Sequence, residues 1–204
     1  MHFSALYLLP LAGLSHVTAI PTADRSQPVP RHLISENGGV IIPEGPDGVF
    51  VVTFDPQNST EATITTLELF QGGAVSKHSD PAPRSAQAKR DLPIAQSGCA
   101  HTMHVPADYD QATRALGRQC DHGMTIPYGE GKAGLLYTRV GNSIAYGCTW
   151  GGTNPCSSNE FYQSDVFLDN KCGQYWGGWI WMEDWLKGYG RILAGEEACS
   201  QVIP

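Results

Sequence analysis

The chain has 204 residues, a formal net charge of −7 and 16% charged side chains, the size of one domain or of one domain with an appendage. The acidic balance forms no long run and gives a pI near 5.4, which argues against nucleic acid or anionic membrane as default partners. All six cysteines lie at or after residue 99 without a Cys-x-x-Cys pair, which removes the main support for zinc-ribbon and thioredoxin classes.

Residues 1–19 read as a signal peptide. A weakly positive start precedes an apolar stretch from Phe3 to Leu14, too short to span a bilayer, and Val17-Thr18-Ala19 supplies small residues for cleavage. No later run reaches membrane-spanning length. The expectation is a secreted, extracellular protein.

Residues 20–90 are rich in proline and contain neither cysteine nor tryptophan. Two β-like runs, Gly48–Phe54 and Ala62–Phe70, flank a turn-like segment and predict a hairpin, which is marginal in water unless it packs on something. Asn58-Ser59-Thr60 is an N-glycosylation sequon at that turn. A polar stretch over 75–88 ends in Lys89-Arg90, the dibasic pair that a kexin-type secretory protease cuts in an accessible linker. The expected architecture is therefore a largely disordered propeptide over 20–90 and a mature cysteine-rich domain over 91–204.

In the second half, Tyr109, Ala112, Leu116 and Cys120 make an apolar stripe at helical spacing over residues 106–120. Asp108 and Asp110 near its start and Arg114 and Arg118 toward its end suit the helix dipole. Lys132–Val140 and Ser143–Trp150 read as strands joined by a two-residue Gly141-Asn142 turn, with Ile144, Tyr146, Cys148 and Trp150 on one buried face. Ser157-Ser158-Asn159-Glu160 is a capping box for a second helix that runs to Cys172 and stops at Gly173. Trp179–Asp184 is a third strand candidate, with a short helix over Met182–Lys187 as the alternative, and Gly188-Tyr189-Gly190 breaks the pattern. The fold expected is α+β: a short antiparallel sheet packed by two helices. Cys99, Cys120, Cys148, Cys156, Cys172 and Cys199 are expected to form three disulfides, with fifteen connectivities open.

His101, His104 and His122 lack the adjacent glutamate of a zinc hydrolase, and they read as exposed loop residues. A histidine could pair with Glu130 or Glu160 for acid–base work, but Glu160 already has a capping role. No catalytic residue, metal or cofactor is assigned. Trp176, Trp179, Trp181 and Trp185 admit two readings: core filling, or an aromatic platform stacking on sugar rings.

The organisation resembles small cysteine-rich proteins secreted by filamentous fungi. The residues that carry the resemblance are Lys89-Arg90, Cys120, Ala145-Tyr146-Gly147-Cys148, Cys156–Glu160, Cys172–Tyr175, Gly178-Trp179, Tyr189-Gly190 and Cys199. Smut killer toxins and necrosis-inducing ascomycete effectors mix strands and cysteine-ended helices comparably, with other cysteine numbers and spacings. The resemblance implies an effector or toxin that binds a host-plant or competitor-microbe target without catalysis. Two alternatives stand beside it: a cell-wall polysaccharide-binding protein that uses the tryptophans, and a small secreted hydrolase.

Overall fold

The hairpin predicted around Gly141-Asn142 is the middle of the sheet. In the computed structural model β7 (Gly134–Val140) and β8 (Ser143–Thr149) pair antiparallel from Gly134↔Thr149 to Val140↔Ser143, and every residue of both strands is buried. Gly141 supplies the positive φ (55°) that a primed turn needs. The structure describes residues 26–28, 33–36, 39–55, 62–70, 91–127 and 133–199. The expected signal peptide (1–19), Asn58, Glu130 and the Lys89-Arg90 pair lie outside them.

Three further second-half strands extend the sheet on one side. β11 (Lys187–Leu193) pairs with β8, β10 (Trp176–Met182) pairs with β11, and β5 (Gln96–Met103) closes that edge. On the other side β7 pairs with β3 (Gly48–Phe54), β3 with β4 (Ala62–Leu69), and β4 with β1 (Ser26–Pro28). The result is an eight-stranded antiparallel sheet in the order β1-β4-β3-β7-β8-β11-β10-β5. Two short pairs complete it: β2 (Val40–Ile41) with β12 (Glu197–Ala198), and β6 (Thr125–Ile126) with β9 (Asn154–Pro155).

The two helices cover one face. α1 (Pro106–Asp121) buries the predicted Tyr109, Ala112, Leu116 and Cys120, and α2 (Ser158–Cys172) buries Phe161 and Leu168. They pack on Val49, Leu136, Val140, Ala145, Ile180 and Tyr189 from five strands. Gly117 of α1 lets the helices approach closely, because a Cβ there would collide with the Tyr162 hydroxyl of α2. The opposite face carries Phe50, Val52, Leu135, Tyr137, Ile144, Tyr146, Cys148 and Ile192, closed by Val40, Ile42, Ala198 and Cys199. Each fully buried aliphatic or aromatic side chain contributes about 1.5–3 kcal/mol.

The α+β class holds, with the sheet longer than expected. The first half differs from the largely disordered stretch anticipated: 39–55 and 62–70 are ordered, and β3 and β4 are that predicted hairpin. β7 is the surface the hairpin needed, and Phe50 stacks on Tyr137 at 4.9 Å between centroids. Gly188-Tyr189-Gly190 does not break the pattern but lies inside β11. Its glycines make room for large neighbours, since a Cβ at Gly190 would strike the Tyr146 ring. Both readings of the tryptophan segment are realised in sequence, because β10 ends at Met182 and a 3-10 turn follows at Glu183–Trp185.

Candidate functional site

Two places gather chemistry, one under the helices and one on the opposite face. Under the helices Arg191 of β11 is fully buried and donates to Asp165 and Asp169 of α2, both at 2.7 Å. Its Nε donates to the Trp176 carbonyl at 2.6 Å and its other nitrogen to the Gly173 carbonyl at 3.0 Å. Tyr109 donates its hydroxyl to the same Asp165 oxygen. Burial works against the Arg191 charge, but Tyr109 and Asp165 more than offset it, so the guanidinium stays charged. Burial pushes the Asp165 carboxyl up, and Arg191 opposes that. These ion pairs and hydrogen bonds lock β11 to α2.

His104 adjoins it. The ring lies 4.7 Å from Tyr109, both ring nitrogens are buried without a partner, and burial followed by the Arg191 charge lowers its pKa to about 4. It is thus a neutral core histidine, not the exposed loop residue expected. His101 and His122 are exposed as expected, though His101 lies in β5 and not in a loop. Glu160 differs too. Ser157 caps α2 by accepting from the Glu160 amide at 3.3 Å, but the Glu160 carboxylate accepts from Lys187 at 2.6 Å and from the Tyr189 hydroxyl at 3.1 Å. A buried Lys187 demands that carboxylate more strongly than the amide at the helix start does.

The opposite face holds a pocket of about 230 Å³ between the β10–β5 edge, β8 and the last strand. Trp150, Trp179 and Tyr146 supply aromatic walls, and Glu196 and Glu197 bring two carboxylates. Trp179 lies over Gly98 of β5, where a Cβ would come within 2.6 Å of the indole nitrogen. Trp150 meets Trp181 edge to face at 4.6 Å. Glu196 is fixed by the Leu193 amide at 2.7 Å and the Thr102 hydroxyl at 3.2 Å. Rigid aromatic faces beside oriented oxygens suit a ligand with both an apolar face and hydrogen-bond donors.

The four candidate tryptophans do not form one platform. Trp179 faces the pocket, Trp181 is core, and Trp176 (39% exposed) and Trp185 (36%) stand at or beyond opposite ends of β10. Trp150, which completes the pocket, was read only as a buried-face residue; its place at the end of that alternating face, before Gly151-Gly152, was the available signal. Glu196 and Glu197 had none. Disulfides join Cys99 to Cys172 and Cys120 to Cys156, the first from helix to sheet, while Cys148 and Cys199 are buried thiols. Among the described residues no group of three or more metal-ligating side chains is placed to hold an ion, and no helix is long and apolar enough to cross a membrane.

No protein-family model, curated protein or solved structure matches this chain.

Proposed function

We propose that the protein is exported through residues 1–19, is cut by a kexin-type protease after Arg90, and acts outside the cell as an effector- or toxin-like protein by binding. The observation that supports binding is the pocket: Trp150 and Trp179 wall it with rigid aromatic surface, and Glu196 enters it already oriented by two donors. Preorganised aromatic and acceptor groups gain affinity because little is ordered on association. The target is a component of a host plant or a competing microbe.

Cell-wall carbohydrate is the second reading. It is favoured by the coexistence of indole faces and carboxylates, which match the apolar faces and hydroxyls of a sugar ring. Retention of wild type and Trp179→Ala on chitin, cellulose and β-glucan separates the two. Retention lost in the variant favours the wall; absence of retention, with leaf-necrosis or growth-inhibition activity lost in the variant, favours a non-wall target. Activity equal in both proteins, without retention, would remove the pocket from either account. A small secreted hydrolase is third, and release of reducing ends from those polymers would raise it. N-terminal sequencing of the exported product tests the cut, for which a start at Asp91 is expected.

A further inference from the structure

Cys148 and Cys199 are the two cysteines outside the observed bridges, and both are buried. They belong to one core cluster and both line the pocket. Cys148 sits in β8, whose position the full-length ladders to β7 and β11 fix. Cys199 follows β12, which holds to the rest of the fold by two residue pairs with β2. Its backbone has φ 65°, a left-handed conformation that few non-glycine residues adopt.

We propose that Cys148 and Cys199 form a third disulfide, which clasps the last strand and the pocket wall it carries onto β8. Both thiols border the same pocket within one core cluster, and the other four cysteines are engaged with one another, so no competing partner remains. The oxidant is a low-molecular-weight disulfide, such as an export pathway supplies. One cysteine thiolate attacks it and expels a thiolate; the second cysteine then attacks the mixed disulfide and expels the other. Two electrons pass from the cysteine pair to the oxidant's sulfurs, and the two cysteine protons end on the two expelled thiols. Burial first, and then Cys148, push the Cys199 thiol well above its ordinary range. Exchange therefore occurs before β12 seats, while the thiolate is accessible. The inference stands whether or not the pocket binds anything. Its consequence is that Glu196 and Glu197, three and two residues from the clasp, are held in place covalently as well as by β-pairing.

The test uses the full chain refolded in reduced and oxidised glutathione. The protein is alkylated with iodoacetamide in denaturant without reductant, digested, and mapped by mass. The expected result is no alkylated cysteine and one peptide pair joined through Cys148 and Cys199. Alkylation at both positions while the other two bridges are intact would overturn the proposal, and so would a bridge from either to another cysteine. Melting of Cys148→Ser, Cys199→Ser and the double variant supplies a second readout. All three should fall by the same amount, roughly 10 °C, because each loses the same bond. Additive losses would mean two independent thiols. If the variants fail to fold, the wild-type map still decides.

Discussion

The two faces of the sheet are closed by different means. The helix-covered face belongs mostly to the second half and is fixed by Cys120–Cys156, by Cys99–Cys172 at its margin, and by the Arg191 cluster. The other face holds Phe50, Val52 and Phe54 from the first half, under a cover made by residues 40–45 and the last strand. There Arg139 donates to the Pro43 carbonyl at 2.6 Å, and its guanidinium fills the space beside Gly45. One face is stapled within one stretch of chain; the other depends on segments far apart in sequence. Cysteine position therefore marks where the chain closes on itself, and not where its core ends.

The largest expected effect is on the stapled face. Arg191→Met leaves Asp165 buried beside Tyr109 without its cation, and should lower unfolding free energy by about 3–5 kcal/mol in urea titration. The double variant with Asp165→Asn should recover part of this. A loss below about 1 kcal/mol would show that the cluster fastens nothing.

Phe50→Ala breaks the comparison on the other side. Its ring is 6% exposed and stacked on Tyr137, so truncation should lower stability by about 3–5 kcal/mol. If the second half were self-sufficient, the unfolding of its own sheet would be unchanged by this substitution.

A smaller effect is set by pH. His104 has a depressed pKa of about 4 when folded, against about 6.5 when unfolded. Between those values the unfolded chain binds a proton that the folded chain does not, so stability is complete above about pH 6.5 and falls toward pH 4. The loss should be about 3 kcal/mol, and His104→Phe should flatten the profile over that window. An unchanged slope would mean that other groups carry the acid dependence. Smallest is the helix cap: Ser157→Ala should cost about 1 kcal/mol, read from the denaturation midpoint.

The hairpin at Gly141, both helices and the Ser157 cap were legible because each is local, written in spacing, turn chemistry or a capping residue. β5 was not, since Gln-Ser-Gly-Cys-Ala-His-Thr-Met has no apolar alternation and lies at an edge where much of it is exposed. β11 was not, because Lys187 and Arg191 look like surface residues and the glycines look like turns. Their burial depends on Glu160, Asp165 and Asp169 of another element. The first-half strands and β7 were visible, but the pairing of β3 with β7 was not, because nothing in a strand's own sequence specifies a distant neighbour. The pocket was hidden for the same reason: it joins Trp150, Trp179 and Glu196 only after folding.

The junction of β3 with β7 has a consequence for any cut between 71 and 90. No cysteine precedes residue 99, so the two pieces would share a sheet without sharing a covalent bond. Folding would then become an association, governed by mass action. Its melting midpoint would climb with protein concentration, and dilution alone would strip the first half away and bare the face that Phe50, Val52 and Phe54 cover.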